Sequence, residues 1–69
     1  MKFSAERLFA IAQEEYRQAD FLPDGADYFT WKEGVGQWAA ESAADEYESE
    51  DDVREEIRSY IAEEKQKAE

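Results

Sequence analysis

The sequence predicts an all-α protein, a compact three-helix bundle over residues 1–69. Three observations carry that reading. Apolar residues recur at helical spacing in the first and last thirds of the chain. Hydroxyl and acidic residues stand where helix N-termini need them. No stretch alternates convincingly, so a lone strand would have no partner.

The first helix is expected over residues 4–20. The Ser4 hydroxyl is placed to accept from free backbone N–H groups at its start. Phe3 and Leu8 fall at the positions of a hydrophobic staple. Leu8, Ile11, Ala12, Glu15 and Ala19 then share a stripe, which Glu15 interrupts, with Phe9 and Tyr16 beside it. Pro23 biases Leu22 away from helical angles, and Pro23-Asp24-Gly25 suits a type I turn.

The second helix is expected over residues 31–48. Tyr28-Phe29-Thr30-Trp31 is rich in β-prone residues, but Thr30 and Glu33 match a capping box and favour a helix start there. Trp31, Val35, Trp38, Ala39 and Ser42 line one side. Gly34 and Gly36 each cost about 1 kcal/mol against Ala in a helix interior. Close packing under a Trp ring is the expected compensation, with a kink or a later start as alternatives.

The third helix is expected over residues 50–66, after a restart at Ser49. Glu50, Asp51 and Asp52 occupy a first turn, where the helix dipole favours anions. Val53, Ile57, Tyr60 and Ile61 form its stripe, and Glu50–Arg54 and Glu63–Lys67 are four-apart ion pairs. Leu8, Ile11, Val35, Trp38, Val53, Ile57 and Ile61 are the expected core. Phe3, Phe9, Tyr16, Phe21, Phe29, Trp31, Trp38 and Tyr60 are read as core aromatics, Tyr28 and Tyr47 as half-exposed rings able to anchor a partner.

Composition excludes several kinds of chemistry. The chain has no Cys and no His, which removes thiol nucleophiles, thiolate metal sites and the commonest general base. No apolar run is long enough to span a bilayer, and the first residues lack a signal-peptide pattern, so a cytoplasmic location is expected. Gly34-Val35-Gly36-Gln37-Trp38-Ala39 fits G-x-G-x-x-A but lacks the strand that a dinucleotide fingerprint requires. Glu48, Glu50 and Asp52 resemble the opening ligands of a calcium loop, which Val53 and Ser59 then break. Paired carboxylates on polar faces of short helices offer no cleft for acid–base work, so no enzyme and no cofactor or metal is expected.

The formal net charge is −11, and it is unevenly placed. Residues 1–40 hold seven acids and four bases, residues 41–69 twelve acids and four bases. Nine of the sixteen residues 41–56 are acidic: Glu41, Asp45, Glu46, Glu48, Glu50, Asp51, Asp52, Glu55 and Glu56. Arg54 alone opposes them. Such a surface repels nucleic acid and anionic membranes and attracts basic protein surfaces. Solubility alone does not require acids gathered at one end, where like charges destabilise the compact state. These nine acids with Tyr47 form the candidate partner-binding surface. DNA carries one charge per about 1.7 Å of axis, and a competitor for its site needs a comparably dense row of anions. The rival expectation is a general helical interaction module or adaptor, bound through apolar contacts at Tyr28 or Tyr47.

A short, strongly acidic helical chain of this kind, with the 41–56 run as its carrier, resembles the DNA-mimicking inhibitors encoded by phages, the anti-CRISPR proteins among them. The resemblance is one of general character over the whole chain. It implies a non-enzymatic inhibitor that occupies the DNA-binding surface of a nuclease, a CRISPR effector or another nucleic-acid-binding protein.

Overall fold

A computed structural model describes residues 1–68, and these form three helices with no strand among the described residues. They are α1 (Ala5–Gln18), α2 (Gly25–Ser42) and α3 (Glu50–Ala68).

The ends of α1 follow from local chemistry. The Ser4 hydroxyl accepts from the Arg7 backbone N–H at 3.1 Å. At the other end Asp20 takes φ +56°, the left-handed conformation that terminates a helix. Its N–H donates to the Arg17 carbonyl at 3.0 Å, and the Phe21 N–H reaches back to Tyr16 at 2.9 Å. These two bonds make a Schellman motif, and the Tyr16 and Phe21 rings, 6.1 Å apart, close it with an apolar contact.

Helix α2 begins at Gly25 rather than at Trp31. The Thr30–Glu33 capping box is not used as a start, because the chain has already turned helical. Asp24 stays extended, and Gly25 at φ +60° swings the chain into the helix, a conformation that glycine adopts without a Cβ clash. Helix α2 also stops at Ser42, short of Glu48. The Tyr47 N–H donates to the Met1 carbonyl at 2.8 Å, and the Tyr47 ring tilts against Phe3 at 6.0 Å. Those contacts pin the connection to the N-terminus, and a continued helix would carry Tyr47 away from both.

The core is Leu8, Ile11, Ala12 and Tyr16 of α1 with Ala39 of α2 and Val53, Ile57 and Ile61 of α3. Trp38 and Val35, expected inside, are half-buried flanks of it. Phe29 (68 % exposed) and Tyr60 (41 % exposed) are not core aromatics: each lies off its helix's buried face. The close packing expected at Gly34 and Gly36 is also absent. A Cβ added at either would meet nothing within 4 Å among the described residues.

Helix α1 is the common wall. It joins α2 through aromatic rings: Trp31 lies 5.7 Å from Phe9 and 5.2 Å from Tyr16. It joins α3 partly through charge. Glu15, the interruption in the apolar stripe, is 3 % exposed and bonds Arg54 Nη1 at 2.7 Å and Arg58 Nε at 2.6 Å. Burial pushes the Glu15 carboxyl pKa up. The bonds and charges of Arg58 and Arg54 outweigh that and leave it below its ordinary value. Helices α2 and α3, by contrast, do not approach within 8 Å of each other between Cα atoms of the described residues.

Candidate functional site

The acidic run is not one rigid helical row. Glu41 sits in the last turn of α2, Asp45, Glu46 and Glu48 on the connection 43–49, and the remaining five acids on α3. The nine carboxylates also divide by what they touch.

Three are occupied. Glu50 pairs with Arg7 of α1 and, at 3.3 Å, with Arg54. The Arg7 hydrogen bond and charge, with help from Arg54, hold the Glu50 carboxyl below its ordinary pKa. Asp52 accepts from the Glu48 backbone N–H at 3.2 Å, so its carboxylate ties the first turn of α3 to the connection before it. Glu56 accepts from the Tyr60 hydroxyl at 3.0 Å. That bond, followed by burial, raises the Tyr60 pKa.

Six are unoccupied: Glu41, Asp45, Glu46, Glu48, Asp51 and Glu55 are exposed, and their carboxylates take part in no ion pair or hydrogen bond among the described residues. Asp51 and Glu55, four apart, share one face of α3. The nearby bases do not offset them. Arg54 is committed to Glu14, Glu15 and Glu50, and Arg58 to Glu15. The surface is therefore more uniformly negative than the composition of residues 41–56 suggests.

Tyr47 does not stand among these acids as a free anchor. It is half-buried and packs against the core. Burial raises its hydroxyl pKa, and the charges of Glu56 and Asp45 add to that. Tyr28 is half-buried too, with its hydroxyl 3.4 Å from the Gln13 amide and its ring 5.6 Å from Trp31.

A second feature escaped sequence reasoning. Because α2 and α3 stand apart, an open groove of about 520 Å³ lies between them. Ala12, Tyr16 and Ile57 line its floor, and Trp31, Val35 and Trp38 its α2 wall. The indole N–H groups of Trp31 and Trp38 are buried there without a hydrogen-bond partner among the described residues. Each faces a tyrosine hydroxyl, Tyr16 and Tyr60, near enough to lower that tyrosine's pKa but outside hydrogen-bonding geometry. On the Tyr16 hydroxyl the opposing effects win. Burial, then the charge and hydrogen bond of Glu64 at 3.1 Å, push its pKa up to about 12. The sequence signal for the groove was Gly34, which shares a helix face with Trp31 and Trp38 and has no close neighbour among the described residues.

The other motifs resolve simply. Gly34 to Ala39 lies wholly inside α2. Among the described residues, no group of three or more acidic side chains is placed to hold a metal ion. None of the described helices is long and apolar enough to cross a membrane. In comparisons with known proteins, no family model matches the chain, and no curated protein or solved structure matches it.

Proposed function

We propose that this chain is a non-enzymatic binding protein whose acidic junction between α2 and α3 occupies a basic, nucleic-acid-handling site on another protein. In this reading it is an inhibitor of the DNA-mimic type, acting in the cytoplasm, in the host cell's cytoplasm if a phage encodes it. The partner is a nucleic-acid-binding protein or a CRISPR effector.

The observation that supports the reading is the division of the carboxylates. Six acids face outward without a partner among the described residues, while Arg54, the base within the run, turns inward to Glu15. Charge unneutralised inside the molecule is available to a partner, and it acts mainly on association rate. The acids on the connection 43–49 also sit on backbone pinned by Tyr47, so they are displayed rather than trailing.

The test is a partner captured from host lysate and titrated with charge-reversed variants. Asp45, Glu48, Asp51 and Glu55 changed together to Lys should abolish binding and leave the helical spectrum intact. Glu6 and Glu33, exposed acids outside the junction, are the control pair. Full affinity in the quadruple variant would end this reading.

A further inference from the structure

The groove between α2 and α3 has features that the acidic junction does not explain. We propose that it docks an amphipathic, basic helix of another protein, whose apolar ridge fills the space between Trp31, Trp38 and Ile57. The partner is basic in both readings, but the residues are different ones.

Four observations converge. First, α2 and α3 both pack on α1 and stay apart from each other, which leaves an apolar trough open to solvent. Second, α2 is apolar on more than one face, yet only Ala39 and Ser42 of it are buried. Third, Tyr60 lines the groove on its α3 side and is left 41 % exposed. Fourth, Gly34 stands on the wall between the two tryptophans, and a Cβ there would meet nothing within 4 Å among the described residues. A glycine in mid-helix that packs against nothing internal lets a foreign backbone approach closely.

Charge selects the occupant. The rim on the α3 side carries Glu63 and Glu64, and the one base lining the groove among the described residues, Lys67, already lies 3.9 Å from Glu63. Glu56 stands near through its bond to Tyr60. A second copy of this chain, at net charge −11, would bring like charge to that rim, as would nucleic acid or anionic lipid. A helix with Leu at i, i+3, i+4 and i+7 and Lys or Arg on its flanks fits both the trough and the rim.

The experiment uses the full chain and a synthetic Leu/Lys amphipathic peptide of about 18 residues, five helical turns. A scrambled peptide of the same composition, which has no apolar ridge, is its partner. Binding is read from tryptophan fluorescence and from the indole N–H resonances of Trp31 and Trp38. The amphipathic peptide should bind and shift both resonances, and the scrambled one should bind at least about tenfold more weakly. Gly34→Leu fills the wall and should weaken binding by about tenfold or more, without loss of helical signal. Glu63→Lys on the exposed rim is the second variant and should weaken it several-fold. The Lys variant of Asp45, Glu48, Asp51 and Glu55 should change groove binding less than Gly34→Leu does, which separates this site from the acidic junction. Equal binding of the scrambled peptide, unmoved indole resonances, or full affinity in both Gly34→Leu and Glu63→Lys would overturn the proposal. So would a concentration-dependent dimer of the chain alone that shifts the same two resonances, because the occupant would then be a second copy.

Discussion

Glu15→Gln isolates the charge that ties α1 to α3. The substitution keeps side-chain volume and one acceptor oxygen and removes the negative charge. Glu15 is 3 % exposed and makes two short charge-assisted bonds, at 2.7 Å to Arg54 and 2.6 Å to Arg58. Breaking a buried pair at one partner costs about 3–5 kcal/mol when the other charge is stranded. Here neither arginine is stranded. Arg58 is 64 % exposed and can be solvated, and Arg54 keeps Glu14 at 3.2 Å and Glu50 at 3.3 Å. The expected cost is therefore lower, about 2 kcal/mol, from one well-buried bond and one surface-like one. In a domain of this size that is a melting temperature about 10 °C lower.

The pH dependence gives the sign. The Glu15 pKa is lowered from 4.5 in the folded state, so the unfolded chain binds that proton more readily. The contribution is fully present above the unfolded pKa and is lost as pH falls through the folded one. Urea unfolding followed by circular dichroism at pH 7 and pH 3 reads it directly. The gap between parent and Glu15→Gln should be widest at pH 7 and narrow in acid. A variant as stable as the parent at pH 7, or a gap of equal size at both pH values, would refute the charge argument and leave only packing.

Three further outcomes follow from the same contacts. Asp20→Gly should stabilise by about 0.5–1 kcal/mol, seen as a higher melting temperature, because the Schellman motif holds Asp20 at φ +56° where a Cβ is unfavourable. Ile57→Ala should cost about 2–5 kcal/mol in urea unfolding and exceed Trp38→Ala, since Ile57 is 2 % exposed and Trp38 only half-buried. The Tyr16 pKa stands at about 12 when folded against 10.0 for an ordinary tyrosine, so stability on the order of 2 kcal/mol should be lost as pH rises between those values. Ultraviolet titration should find the last tyrosine ionising near pH 12, and the loss of that step in Tyr16→Phe assigns it.

Much of the fold was legible in the sequence where the pattern was local. The stripe from Leu8 to Tyr16 and the stripe from Val53 to Ile61 each lie on one helix, and Ser4 caps its own chain three residues on. What failed depended on distant contacts. The start of α2 was misplaced because Thr30-Trp31-Lys32-Glu33 is a valid cap signal that loses to Gly25, where the turn chemistry already starts a helix. Its end was misplaced because Tyr47 is held by Met1 and Phe3 across the molecule. Glu15 looked like a defect because its partners, Arg54 and Arg58, are about forty residues away. The composition of the acidic run was plain, but which carboxylates are spent was not. Arg7 claims Glu50 from another helix, and Asp52 turns back on its own backbone. The groove was invisible because periodicity says which face is apolar, not whether a neighbour covers it.

The proposal of a surface that stands in for a nucleic-acid backbone is most directly tested by competition. The captured partner, immobilised at constant ionic strength, is titrated with this chain in the presence of increasing duplex DNA. The six unpaired carboxylates and the DNA phosphates should exclude each other, so apparent affinity should fall in proportion to bound DNA and no ternary complex should form. A stable complex that holds the partner, the DNA and this chain together, with neither weakening the other, would contradict it.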